Sequence, residues 1–266
     1  MGRRDRRTRR LTDAALGAVL PLLLLAAWEI ATRFALVSSF LLPRPGAVVV
    51  RLAEEIAAGT LPAAAGATLL RLTVSYGIAA VVGVGLGIAM ARLRTVRWVL
   101  DPVVSIALPS PKISLLPILV LWFGVFDTPK IVIGVLSCVF PIVAGTAAGA
   151  AGVDRHLIWS AENLGTRPGA LLWRVVLPAA LPQIVTALQV ALPIAFIAVV
   201  VAEMLTGGGG LGGGLIEATR LADPAGAFAH LVAIGVLGFL AMAALRRLRR
   251  FILVWHEEEQ RQGVII

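Results

Sequence analysis

The sequence predicts an all-α membrane protein with about six transmembrane helices and one helical elbow on the cytoplasmic side. Composition is the first reason: of the 266 residues, 59% are hydrophobic and 15% are charged, and the mean hydropathy is +0.92. A soluble domain is about half apolar and a quarter charged. The second reason is that apolar residues form runs long enough to cross a bilayer, which takes about 20 residues per helix.

Charge and residue types narrow the class of partner. The formal net charge of +9 could suggest nucleic acid, but the basic residues are mostly arginines at the edges of apolar runs, where they orient a membrane protein. We therefore expect membrane lipid, and no nucleic acid, as a partner. The single cysteine, Cys138, lies in an apolar run and the three histidines lack ligand spacing, so we expect no metal site and no cofactor on this chain.

One transmembrane domain, 14–250, is flanked by two ends that should be cytoplasmic, the basic segment 1–13 and the tail 251–266. The first span is the apolar run from Ala14 to Ala31. This run is long for a signal peptide, and Arg33 stands where a small-residue cleavage site would be, so we expect an uncleaved span.

The segment after the first span is too polar to cross the membrane. Leu41–Gly59 instead predicts a short helix along the outer interface, and Pro45 marks its first turn. The second span follows, from about Thr68 to Ala91. Gly83 and Gly87 are four residues apart in it, a spacing that lets another helix approach closely.

The number of membrane crossings decides how the middle of the chain is interpreted. Arginines at 92–97 mark a cytoplasmic turn, and the elbow that begins at Asp154 is cytoplasmic too. An even number of crossings must lie between them. Ile131–Val153 is one clear crossing, so Pro102–Phe126, although prolines and a lysine interrupt it, is predicted to be a kinked third span.

The last third of the chain contains two more spans and a glycine-rich outer turn. The fifth span runs from about Pro182 to Leu205, the glycine-rich turn covers Thr206–Gly214 and leads into a short external helix, and the sixth span covers Gly226–Leu245. With this topology, 17 of the 24 Lys and Arg residues lie on the sides assigned to the cytoplasm.

The elbow spans Asp154–Pro182 and is the longest polar-rich interruption of the chain. Asp154 can cap a first helix, and Gly165 can end it in a left-handed conformation. Pro168 can begin a second short helix, which Pro178 and Pro182 are expected to break before the next span. Each piece is too short to cross a bilayer and carries one apolar and one polar face.

Two ionisable residues fall nearest the membrane interior, Lys112 and Glu203, with Pro109 beside the former. Such groups are costly in lipid and usually face a cavity or a partner. Lys112 could line a pathway and offer its charge to an anion, or it could snorkel or bond the free carbonyls of a kinked helix. Glu203 could also line the pathway, or it could bond to the glycine-rich turn.

Enzymatic chemistry has no support in this sequence. The glycine run lacks the Lys and Ser/Thr of a phosphate-binding loop and follows an apolar helix, so we interpret it as a flexible outer turn. Paired carboxylates, a Ser-His-Asp set and an HExxH pattern are absent from the spans. The chain is therefore predicted not to be an enzyme.

The elbow resembles the cytoplasmic loop signature of permease subunits in ATP-binding-cassette importers, through Gly165, Val175, Leu177 and Pro178. The segments LLPRPGAV, LDPVVSIALPSPKISLLPILVLWFG and VVAEMLTGGGGLG resemble the nitrate, sulfonate and taurine subgroup, in family order. The family's Glu-Ala-Ala opening would fall on positions 159–161, where only Ala161 matches. The resemblance implies a type I importer-like fold, with ATPase-coupling residues Ala161, Glu162, Asn163, Leu164, Gly165, Leu177 and Pro178.

The same resemblance implies the partners and the mode of action. Two ATPase subunits would bind on the cytoplasmic face, a solute-binding protein would deliver a small solute such as a sulfonate, nitrate or taurine, and a second permease copy would complete a homodimer in the inner membrane. Closure of the ATPases would drive alternating access through the elbow. Two other interpretations stay open here: a secondary transporter, which needs ion-binding carboxylates or an inverted repeat, and a channel-like membrane subunit.

Overall fold

The computed structural model describes residues 19–254, and its regular structure is helical throughout that range. The predicted basic segment 1–13, the first part of the predicted first span and most of the predicted tail lie outside the described residues. In chain order the helices are α1 (19–33), α2 (Pro45–Ala57), α3 (Thr60–Arg92), α4 (Arg94–Ala107), α5 (Leu116–Phe123), α6 (Asp127–Ala151), α7 (Arg155–Asn163), α8 (Pro168–Leu171), α9 (Leu177–Thr206), α10 (Leu211–Arg220) and α11 (Pro224–Ile252).

The all-α membrane fold is confirmed, but the described residues contain fewer clear spans than the six predicted. Four helical segments within 19–254 are long and apolar enough to cross a membrane: α3, α6, the stretch centred on α9, and α11. A fifth crossing results if α4 and the Lys112–Phe123 piece form one span, although these two pieces meet at 92°. The remaining predicted span, Ala14–Ala31, is described only from residue 19 onward, where α1 is helical.

The centre of the molecule is a three-helix core of α3, α6 and α9, with Leu72, Ile142 and Ala195 among its buried residues. The predicted close approach at the glycine pair is confirmed. A Cβ at Gly83 would lie 2.7 Å from Ile142, and one at Gly87 would lie 2.5 Å from Thr146. Small residues therefore allow α3 and α6 to pack backbone to backbone, as membrane helices do when burial of apolar area cannot drive association.

Several predicted boundaries need correction. α3 begins at Thr60, eight residues before the predicted start of the second span, because the alanine-rich turn before Thr68 continues the helix. The predicted turn at 92–97 is a single extended residue, Leu93, after which α4 begins at once. The short helix from Pro45 is confirmed as α2, with Pro in its first turn.

The prediction that Pro178 and Pro182 break the elbow's second helix was wrong. α8, a π-helical turn (Leu172–Val176) and α9 follow one another without a gap. The amide of Leu177 bonds to the carbonyl of Leu172, five residues back. Pro178 then lies in the first turn of α9, where a missing N–H costs little, so the wider π turn accommodates the proline and keeps the chain helical.

Candidate functional site

The elbow begins with a capped helix, as predicted. The Asp154 carboxylate accepts a hydrogen bond from the His156 amide at 2.8 Å, which satisfies one of the free N–H groups of the first turn of α7. Val153, the residue before the cap, is buried against the ends of α6 and α9. The cap therefore fixes the start of α7, and the packed Val153 side chain attaches that start to the core.

The end of α7 is a Schellman motif built on Gly165. Gly165 has φ +79°, its amide bonds to the Glu162 carbonyl at 2.9 Å, and the Thr166 amide bonds to the Ala161 carbonyl at 3.0 Å. These two bonds use carbonyls that the end of a helix leaves free. The predicted left-handed stop is confirmed, and nothing lies within 4 Å of the position that a Cβ would take. Backbone conformation, and not packing, requires glycine here.

The elbow leaves four large apolar side chains exposed, those of Leu157, Trp159, Leu164 and Trp173. No residue of α7 is buried, and Ile158 is the side chain that packs on the cluster at the ends of α6 and α9. Leu164 is 87% exposed and Trp173 is 68% exposed. Exposed large apolar groups at a helical turn are typical of a surface that another protein covers.

The other predicted coupling residues lie on both sides of the Schellman turn. Glu162 and Asn163 are exposed at the end of α7, and Ala161 is half-buried. Leu177 packs against the cluster at the ends of α6 and α9, whereas Pro178 is exposed. Helix α7 contacts both α8 and the π turn, so the two parts of the predicted signature belong to one folded unit.

A second site lies at the opposite ends of α3 and α9 and centres on Arg71. This guanidinium is 4% exposed and pairs with Glu203 at 2.6 Å and with Asp127 at 2.7 Å. Its Nη groups also donate to the carbonyls of Gly209 and Gly208, at 3.1 and 3.2 Å. One side chain therefore joins α3, α6, α9 and the glycine-rich turn, which we call the Arg71 cluster.

Glu203 is fully buried, and its contacts confirm the interpretation that it bonds to the glycine-rich turn. Its Oε2 accepts from the Gly212 amide at 3.0 Å, and both carboxylate oxygens lie within 3.0 Å of the Thr68 hydroxyl. Gly212 is in the first turn of α10, so the carboxylate also provides negative charge at the positive end of that helix. The Thr68 hydroxyl also accepts a hydrogen bond from the Leu211 amide at 2.9 Å.

The glycine-rich turn is therefore not the flexible outer turn that the sequence suggested. Gly207 to Gly210 all have positive φ, between 67° and 85°, a run that residues with a Cβ rarely adopt. A Cβ at Gly210 would collide with Glu203 and Arg71. The turn is pinned through its carbonyls and amides, and glycine is required there for both conformation and space.

Lys130 completes the charges around this turn. Its side chain is fully buried, and its Nζ has no hydrogen-bond partner among the described residues. The Nζ lies 3.1 Å from the position of a Cβ at Gly208. Arg71, Asp127 and Lys130 were all missed by sequence reasoning. Placing the start of the second span at Thr68 put Arg71 at the membrane edge, where an arginine is unremarkable, and Lys130 fell in the gap between two predicted spans.

Lys112 and Pro109 lie apart from the contacts of the Arg71 cluster. Lys112 begins a 3₁₀ turn (Lys112–Leu115), is half-buried, and donates from Nζ to the Leu108 carbonyl at 2.9 Å. Its Nζ also lies 5.8 Å from the centre of the Phe140 ring. This bond to a carbonyl that the proline break leaves free is the alternative in which Lys112 stabilises the kinked backbone. Pro109, next to Leu108, is exposed.

Comparison with known proteins assigns the chain to a family. Residues 81–254 match the model of the binding-protein-dependent transport system inner membrane component. The chain is 33% identical over 246 residues to the taurine transport system permease protein TauC of Escherichia coli (strain K12), covering 91% of this chain and 89% of that protein. It is 31% identical over 241 residues to the formylaminopyrimidine transport permease protein ThiX of Halalkalibacterium halodurans, covering 90% and 94%.

A sulfonate relative and a solved structure agree with this assignment. The putative aliphatic sulfonates transport permease protein SsuC of Bacillus subtilis (strain 168) is 29% identical over 239 residues, covering 90% of this chain and 87% of that protein. A chain of the methionine ABC transporter MetNI, in an inward-facing conformation, superposes with a TM-score of 0.63 at 23% identity, covering 74% of this chain and 98% of that one. The likeness to the MetNI chain concerns the fold alone. This chain is a membrane-spanning permease of the binding-protein-dependent transport system inner membrane component family.

Proposed function

We propose that the exposed elbow of this permease docks an ATP-binding-cassette ATPase on the cytoplasmic face and transmits its closure to the spans. The observation that carries the proposal is the pairing of a rigid attachment with an exposed surface. Val153 and Ile158 pack the start of the elbow onto the core and Asp154 caps α7, while Leu164 beyond it is 87% exposed. A helix that is packed at its start and exposes an apolar side chain at its end can transmit a movement of one subunit to another.

The ATPase must be a separate chain on this proposal. The sequence has no phosphate-binding loop, and the carbonyls of Gly208 and Gly209 in its glycine run accept from Arg71. The family description names dependence on a binding protein, which supports an external solute-binding protein as the second partner. A second copy of the permease would complete the pathway as a homodimer.

The arginines determine the orientation that we propose. The elbow, the α3–α4 junction and the end of α11 would face the cytoplasm together with both termini, because these ends carry most of the basic residues. The Arg71 cluster and α10 would then lie at the outer face. The inner membrane is the membrane that this arrangement fits.

The substrate class we propose is a small anionic solute such as a sulfonate, nitrate or taurine. The names of two relatives, a taurine permease and a sulfonate permease, support this class. On this chain, we propose that Lys112 lines the pathway with Pro109 in addition to its bond to the Leu108 carbonyl, and that Glu203 holds the outer turn. A secondary transporter or a channel-like subunit has no support from the family match.

The test is copurification of an ATPase subunit with the tagged permease from native membranes. We expect Leu164→Ser to reduce the recovered ATPase several-fold without changing insertion, because Leu164 contacts little of its own chain. Leu221→Ser is the matched control: Leu221 is 73% exposed but ends α10 on the opposite side. Equal recovery of ATPase with wild type and Leu164→Ser would contradict docking at the elbow.

A further inference from the structure

A pair of adjoining cavities lies where α3 ends and α4 begins. One has a volume of about 410 Å³ and is lined by Arg92, Arg94 and Arg97 with Asp101. Neither Arg92 nor Arg97 forms an ion pair or side-chain hydrogen bond among residues 19–254. Three guanidinium groups and one carboxylate leave this mouth with two uncompensated positive charges.

The second cavity continues from the first into an apolar crevice. Its volume is about 250 Å³, and it shares Met90, Ala91, Arg97 and Asp101 with the basic mouth. The rest of its wall comes from α4 and α6 and is almost entirely apolar, from Val104 to Leu108 on one side and alanines on the other. The crevice follows about two turns of α4, roughly 10 Å at the rise of an α-helix.

The surroundings place this double cavity at a membrane interface. Trp98 is 70% exposed next to the arginines, and the Arg94 guanidinium lies 5.4 Å from the centre of its ring. Exposed Val99 and Ile106 continue an apolar face along α4. Tryptophan and arginine beside exposed aliphatic groups are typical of the level of lipid headgroups.

We propose that this double cavity binds one anionic phospholipid, with its phosphate at the arginines and part of an acyl chain in the crevice. Arginine matches phosphate oxygens in a bidentate manner, and basic pockets between transmembrane helices are suited to anionic headgroups. The remaining charge of two favours a headgroup with net negative charge, and Asp101 can accept from the hydroxyls of a glycerol headgroup. On the topology proposed above, the lipid belongs to the cytoplasmic leaflet, but the binding itself does not depend on an ATPase.

The bound lipid would strengthen the attachment of α4 to the core, which α4 otherwise reaches through Val104 and the partly buried Val96 and Leu100. Val104 is the one residue of α4 that is fully buried, and most of the side facing α6 next to it is lined by small alanines. A phospholipid in the crevice would fill the space between α4 and the alanines of α6. The position of α4, which leads into the Lys112 segment, would then depend on the lipid composition.

The experiment is native mass spectrometry of the full-length chain, with any subunits that copurify, after exchange into detergent containing phosphatidylglycerol, phosphatidylethanolamine or phosphatidylcholine. We expect one retained phosphatidylglycerol, bound about tenfold or more tightly than either other lipid. The variant with Arg92, Arg94 and Arg97 all changed to Gln should lose it. Its matched control changes Arg246, Arg247 and Arg250 to Gln, removing equal charge from the end of α11.

A second variant tests the apolar crevice without changing any charged residue. Ala147→Leu adds bulk to the wall contributed by α6 and should lower phosphatidylglycerol retention several-fold while the arginines remain. Three results would overturn the proposal: equal retention of all three lipids, equal loss in the α11 control, or unchanged retention in the triple variant. Loss of a copurifying ATPase with retained lipid in the triple variant would show that the arginines serve a protein partner instead.

Discussion

Replacing Arg71 by Met should destabilise this permease more than any surface arginine replacement. Arg71 is 4% exposed, and Met keeps a similar apolar length while removing two ion pairs and two bonds to glycine carbonyls. Glu203, which is fully buried, would lose its ion-pair partner and keep hydrogen bonds only from the Thr68 hydroxyl and the Gly212 amide. Removing one partner of a buried pair typically costs about 3–5 kcal/mol, because the other charge is left uncompensated.

The assay is unfolding of the purified chain in mixed micelles with increasing dodecyl sulfate, followed by circular dichroism. Arg51→Met is the matched control, because Arg51 also contacts three carboxylates, those of Glu54, Glu55 and Asp223, but its side chain is 42% exposed. Exposed pairs contribute about 0–1 kcal/mol. A double variant, Arg71→Met with Glu203→Gln, should recover part of the loss, because the buried charge is gone.

The two arginine variants together test whether the Arg71 cluster is a mutually dependent set of buried charges. If Arg71→Met and Arg51→Met lower stability by the same small amount, the Arg71 cluster is not a buried, mutually dependent set of charges. If the double variant is less stable than Arg71→Met alone by the full cost of losing Glu203, the two residues act independently. Either result would refute the account of how α3, α6 and α9 are held together at this end.

Three further predictions concern coupling, the pathway and topology. Gly165→Val forces a β-branched residue to φ +79°, at a cost of about 1 kcal/mol or more, so uptake should fall. The control is Gly169→Val, which should change uptake little because Gly169 lies in open space and has no positive φ. A transport assay in vesicles compares the two variants. Lys112→Arg should keep most uptake per assembled complex and Lys112→Met should lose it, whereas full uptake by the Met variant would confine Lys112 to its bond with the backbone. Reporter fusions should read cytoplasmic after Arg174 and external at Gly213, and an external signal at Arg174 would reject both the topology and the coupling role.

Local signals in the sequence were sufficient for the elbow. A helix cap needs only an Asp before the first turn, and a left-handed stop needs only a Gly after the last, so Asp154 and Gly165 could be assigned without any tertiary information. The prolines misled because their effect depends on register. Pro178 breaks a helix when its missing N–H falls in the interior, and the π turn before it moved that position into a first turn.

The sequence by itself determined the fold class, because hydropathy, glycine spacing and arginine distribution act over one helix at a time. What only the tertiary structure decided is which ionisable groups are buried together. Arg71 meets Asp127 56 residues away and Glu203 132 residues away, and a charge in a predicted span looks the same whether it faces lipid, water or a countercharge. Burial of a charge is tolerated only where the folded chain supplies its partners, and those partners come from helices that the sequence does not place side by side.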